Sequence, residues 1–349
     1  MIGSGCARTP GIHSEQVKAL PSTFTGWLGC TMKGDFTWTP GLGIDAEALA
    51  RLRAHFPRPR QAMGEAWFMG ERRMFPELLG DLEVLGAREL HEPLFEIASG
   101  TGTFGPMQEW HAWYHYLLCQ LLPRCHEAWV HPLLEPLLSG FFAQHPYGIE
   151  GSTYPQYRDD VLATLGRCMM EPSCWTPEGI ALGRFLHRSN RNPNEVWMWW
   201  DASGDLSASL FFCMKYLPTF QVRPWFRSAL EITAPHWRAQ VMVWLVGAHG
   251  MLSAPGRWPS ELSVEAYPAV AWELSYSLSA KAAAQARPDT APVLSWLPDD
   301  ARAGVVEATK AYFTPAVFLE WLQSIDSDDA LKRELADIPA TFEQLYVTA

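Results

Sequence analysis

The clearest pattern of apolar and polar positions lies between two prolines, in "PMQEWHAWYHYLLCQLLP" (106–123). Trp110, Trp113, Tyr114, Leu117, Leu118 and Leu121 recur at i, i+3, i+4, i+7, i+8 and i+11, one stripe of a 3.6-residue period. Pro106 can open a helix, where its missing N–H is not needed, and Pro123 cannot continue one. Similar periodicity predicts helices over roughly 76–86, 88–99, 125–142, 155–170, 205–217, 235–252, 265–287 and 328–345. Polar or proline starts predict four more: Asp45 before "AEALARLRAHF", Thr176-Pro177 before "EGIALGRFLHR", Asp299 or Asp300 before "ARAGVVEATKAYF", and Thr314-Pro315 before "AVFLEWLQS". Alternating strand patterns and Asn-Gly or Asp-Gly hairpin turns are missing.

These signals predict an all-α protein, a multi-helix array. Successive paired antiparallel helices suit an irregular, HEAT-like α-solenoid or a globular array, although no fixed-period repeat is present. Residues 1–44, rich in Gly, Thr and Pro, read as an irregular N-terminal segment ahead of a helical domain over 45–349. "HPYGIEGSTYP" (145–155) is a candidate boundary inside that domain.

One stretch competes with the helical reading. "EPLFEIASGTGTFGP" (92–106) contains G-x-G-x-x-G at Gly100, Gly102 and Gly105. "LFEIASGTG" resembles the first motif of S-adenosylmethionine-dependent methyltransferases, where an apolar strand near an acidic residue runs into a glycine-rich turn. The resemblance covers about ten residues and implies that Glu96, Gly100 and Gly102 border a cofactor, with Gly105 completing the loop. It requires a strand at 94–98 and alternating β and α elements, and the surrounding sequence supplies neither. Leu90, Leu94, Ile97 and Ala98 instead have helical spacing. Gly100 then reads as the left-handed residue ending a helix, and Gly102 and Gly105 as a turn into Pro106.

Two further constellations carry chemistry. His111, His115 and Cys119 stand at i, i+4 and i+8 on a second face of the 106–122 helix. That spacing can bring two imidazoles and a thiolate to one metal ion, although it matches no familiar zinc signature. In "EVWMWWDASGD" (195–205), Trp197, Trp199, Trp200, Asp201 and Asp205 form a candidate partner-binding patch, since tryptophan is enriched at binding hot spots. Nucleophile motifs such as G-x-S-x-G are missing, and with the helical reading of 92–106 no cofactor is expected.

Composition narrows the function classes. The chain has 349 residues, 48% of them apolar, with 17 tryptophans to fill a core. Twenty-seven basic and 38 acidic residues give a net charge of −11, and the densest basic run, "RLRAHFPRPR" (51–60), is broken by prolines. Nucleic-acid binding, which depends on basic surface, is therefore not expected. The longest apolar run, "VMVWLVGAHGML" (241–252), is too short to span a bilayer. Seven scattered cysteines without a C-x-x-C pair and a start without a signal-peptide pattern read as a cytoplasmic protein with reduced thiols. The acidic "DSDDALKRELAD" (326–337) reads as a solvated helix face. Together these features predict a non-catalytic protein that binds a protein partner, favouring a basic one. A bacterial immunity or antitoxin protein is one concrete form. The alternatives are a helical metal or cofactor enzyme built on His111, His115 and Cys119, and the methyltransferase.

Overall fold

Helix starts follow the capping residues. The Asp45 carboxylate accepts from the amide of Ala48 and starts α1 (Ala46–His55). Thr314 accepts from Val317 in the same way, with Pro315 behind it at the first helical position. The computed structural model describes residues 35–348 except 69–71, 129, 150–153, 178, 182–185, 187–200, 263–266 and 290–294. Among these residues α1 is followed by α2 (Ala87–Phe104), α3 (Gln108–Leu121), α4 (Leu134–Gln144), α5 (Tyr157–Ala163), α6 (Gly204–Tyr216) and α7 (Thr219–Leu230). Then come α8 (Pro235–Ser253), α9 (Ala280–Ala286), α10 (Asp299–Tyr312), α11 (Pro315–Asp326), α12 (Asp329–Leu335) and α13 (Ile338–Tyr346). A two-residue hairpin, β1 (Trp175–Thr176) with β2 (Gly179–Ile180), is the sheet found among the described residues. The all-α class is thus observed.

Several predicted helices are shorter than their apolar period suggests, each for a local reason. The 76–86 region forms two 3₁₀ turns, Pro76–Leu79 and Leu82–Val84, separated by Gly80 in extended backbone. The helix expected from 125 begins only at Leu134, after Pro132 and a left-handed His131 at φ 61°. The 155–170 helix ends at Ala163, where the Thr164 hydroxyl bonds the Asp160 carbonyl, and continues as a 3₁₀ segment. Of the described part of 265–287 only α9 is α-helical, and 328–345 divides into α12 and α13 at Ala336. Thr176-Pro177 opens the β1–β2 turn instead of a helix; most of the residues after it lie outside the described set. α7 went unpredicted because Pro224 lies inside it, at the cost of one hydrogen bond near the helix start.

Packing is long-range. α2 lies on α3, α4 and α9, while α7 packs on α10 across some 70 intervening residues of chain. α8 takes α10, α11, α12 and α13 around it. It can do so because it is apolar on nearly all sides, with Trp237, Val241, Trp244 and Leu245 fully buried. A solenoid would stack nearest neighbours instead, so the arrangement is a globular helical array. The described residues belong to one compact unit, into which Phe36 and Trp38 also insert. The predicted stripe of α3 is buried at Trp110, Trp113, Tyr114, Leu117, Leu118 and Leu121.

The glycine-rich stretch is helical throughout. α2 runs through Gly100 and Gly102 to Phe104, and the positive-φ residue that ends it is Gly105 at 81°, not Gly100. Gly100 serves close approach: a Cβ there would lie 2.8 Å from Cζ2 of Trp110, which is wholly buried. Gly100→Ala therefore sets about 0.5–1 kcal/mol of helix preference against about 1–3 kcal/mol of overpacking. The wedged indole decides the sign. Urea denaturation is expected to give a net loss of about 1 kcal/mol or more with an unchanged m-value; a stabilised variant would contradict the packing described.

Candidate functional site

The methyltransferase resemblance does not survive the fold. Leu94–Ala98 is helix, so Glu96, Gly100, Gly102 and Gly105 border no strand-to-helix turn in which a cofactor's ribose and adenine could lie. Burial, together with the charge of Glu92 one turn earlier, raises the Glu96 carboxyl above its ordinary range.

His111 and His115 do come together, with ring centroids 4.1 Å apart, but both nitrogens of His115 and Nδ1 of His111 are hydrogen-bonded to protein groups. His115 has no exposed surface, and its Nδ1 lies 2.8 Å from the carbonyl oxygen of His111. A carbonyl only accepts, so this nitrogen carries the proton. Nε2 must then accept, and the Tyr157 hydroxyl donates to it at 2.8 Å. The same hydroxyl oxygen is 3.3 Å from Nε2 of His145, which donates in this assignment. Around the rim His111 Nδ1 donates to Gln144 Oε1 at 3.0 Å, and Gln144 Nε2 donates to Thr101 Oγ1 at 3.1 Å. Thr101 completes the chain by donating to the Ile97 carbonyl. Each donor has one acceptor, and the network joins α2, α3, α5 and the end of α4.

Cys119 lies one turn further along α3, fully buried, and burial pushes its thiol up to about 12. Among the described residues no group of three or more His, Cys, Asp or Glu is arranged to hold a metal ion. The five described cysteines are all buried. The His face thus forms an internal polar bolt whose other members, His145, Tyr157, Gln144 and Thr101, carry no local sequence signal.

Trp197, Trp199 and Trp200 lie outside the described residues. Asp201 and Asp205 are each 1% exposed and face the interior. Asp201 Oδ1 accepts from the Ala269 amide at 2.6 Å, while Gln240 joins the Ser203 amide to the Asp201 carbonyl. This junction fastens the start of α6 to α8 and to the chain at 269.

Of the clefts that open to solvent among the described residues, two have more than one aromatic ring in their walls. One, of about 490 Å³, lies between Trp38, Trp175 and the α7–α8 junction. In its lining Ser228 Oγ accepts from the Trp38 amide and donates to the Trp225 carbonyl, and Glu231 pairs with Arg227 at 3.0 Å. The other, of about 330 Å³, is lined by Arg88, His91, Glu92, Phe95, His131 and Glu273. His91 Nε2 is 3.3 Å from Glu273 Oε2, across 182 residues of sequence. The His91 ring stacks on Phe95 at 5.8 Å and lies 5.4 Å from the His131 ring. Reading the sequence alone missed this cleft, because its members come from three distant segments.

Charge is unevenly distributed. Residues 299–349 hold ten acidic and four basic side chains, a net −6 of the chain's −11. Asp299, Asp300, Glu307, Glu320, Asp326, Asp329, Asp337 and Glu343 are exposed on α10–α13 or their connections, beside Leu319 at 57% exposure. Among the described residues no helix is long and apolar enough to cross a membrane. No family model matches the chain, and neither a curated protein nor a solved structure matches it.

The polar bolt sets an acid limit on stability. Burial, then the charge of His111, holds His115 well below the ordinary imidazole range; burial and the same neighbour hold His145 near 3. The unfolded chain protonates both below about 6.5 while the native state does not, so stability is lost as pH falls through that value. Glu135 acts in the opposite direction. Burial and Asp205 raise it to about 8, so near pH 5.5 only the native state holds its proton. Two buried histidines outnumber the one buried carboxyl, and His126, raised to about 9, is protonated in both states below pH 6, so stability is expected to fall between pH 6 and 5. Urea titrations at pH 7, 6 and 5 measure it; a flat profile would show that the two imidazoles ionise freely in the native state.

Proposed function

We propose that this protein is a non-catalytic binding protein that engages a basic protein partner through the acidic surface of α10–α13. The supporting observation is the concentration of negative charge there: ten acidic against four basic residues in the last part of the chain, most of the acids exposed. Such a surface steers a cationic partner during encounter and disfavours acidic ones. α10–α13 are anchored together on the apolar α8, which presents the charges on a fixed frame. An immunity or antitoxin protein capping a basic toxin is a concrete form of this function, supported by fold class and charge alone.

The test begins with affinity capture of the partner from the native host and proceeds to binding kinetics. Asp329→Asn/Asp337→Asn/Glu343→Gln removes three exposed charges whose side chains make no capping hydrogen bond. At low ionic strength the triple variant is expected to associate about 10-fold more slowly, with the difference shrinking as salt rises. Equal rates for the two proteins at low salt would place the interface elsewhere. For the immunity form, co-expression with the captured partner should relieve that partner's toxicity.

A further inference from the structure

We propose that the cleft at His91 is a binding site for a guanidinium group, a function independent of the acidic surface on α10–α13. Three features of its lining point to a planar organic cation. The rings of His91 and Phe95, centroids 5.8 Å apart and inclined at 29°, both line the cleft and supply an aromatic wall against which a guanidinium can stack. The Glu273 carboxylate stands at the edge of that wall, where it can take two parallel N–H donors. Glu92 adds a second carboxylate to the lining, and Glu96 follows on the same helix at i+4. Like charges at that spacing repel, and a bound cation relieves the repulsion.

The site is also held in place before any ligand arrives. The Glu273 amide donates to Glu135 Oε2 at 2.7 Å, and the adjacent Trp272 indole donates to Ser139 Oγ at 3.0 Å. Both acceptors belong to α4, which packs against the α2 helix that carries His91 and Phe95. The carboxylate and the ring wall are therefore tied to one packed pair of helices, which lowers the ordering cost of binding.

Competing ligands fit less well. A metal ion needs three protein ligands drawn together, and among the described residues no three His, Cys, Asp or Glu side chains are so grouped. A cleft of about 330 Å³ is also far larger than one ion requires. An anion would meet Arg88 but also the carboxylates of Glu92 and Glu273. A lysine-type ammonium satisfies the charge but cannot stack or bind in a fork.

Titration of the full-length protein with N-acetyl-L-arginine amide, L-arginine and N-acetyl-L-lysine amide, followed by amide NMR, provides the test. The arginine compounds are expected to shift residues 88–95, 131 and 273 at millimolar concentration, with the lysine compound at least several-fold weaker. Glu273→Gln, at a half-exposed side chain, should weaken the arginine compounds about 10-fold or more. Tighter binding of free L-arginine than of the blocked form would assign a small-molecule ligand; equal binding would assign an arginine side chain of a protein. Equal response to lysine, a response to zinc chloride in place of arginine, or an unchanged Glu273→Gln titration would each overturn the proposal. A folded Glu273→Gln spectrum separates loss of the site from loss of the fold.

Discussion

An imidazole with no exposed surface must find both of its partners inside the protein, and His115 imposes that requirement on everything around α3. An unmet donor or acceptor at such depth costs about 1–3 kcal/mol. One partner comes from α3 itself, the His111 carbonyl; the other must come from a different element, and Tyr157 of α5 supplies it. The tyrosine in turn brings the end of α4 into register through His145. The Tyr216 hydroxyl donates to the His145 carbonyl and adds α6. The apolar stripe of α3 gives most of the burial energy, but the polar bolt specifies which helices meet it and at what height.

How much of this was legible in the sequence depends on the range of the interaction. Local rules worked: Asp45 and Thr314 cap the helices they were read to cap, and the 106–122 stripe is buried residue for residue. They failed where a single residue overrode the period, as at Thr164, Ala336 or the left-handed His131. Gly100 is the instructive error. Its letters fit a cofactor loop or a helix end, whereas its role is to admit the Trp110 ring against a continuous helix. No local pattern distinguishes those roles, because the deciding atoms belong to the next helix.

The candidate sites follow the same division. The spacing of His111 and His115 announced that two imidazoles would meet, and they do, yet the meeting serves packing, because the groups that complete it lie 12 to 42 residues apart in sequence. Asp201 and Asp205 read as a partner-binding patch and turn out to be buried, with Asp201 fastening the chain at 269. The cleft at His91 is the converse case: unremarkable letters in three segments that the fold gathers around one opening. Charge was the one functional property visible from the start. The fold adds that it is gathered on helices mounted together on α8.

The central claim is that His115 and His145 are held as neutral imidazoles in a buried hydrogen-bonded network that joins α3, α5 and the end of α4. Long-range ¹H–¹⁵N spectra of the histidine side chains, recorded from pH 7.5 to 5 with and without zinc, test it most directly. The account predicts that His115 stays neutral as the Nδ1–H tautomer across that range, that His145 stays neutral beside it, and that zinc moves neither. Titration of either ring near pH 6.5, or a zinc-dependent shift at His111 and His115, would contradict it.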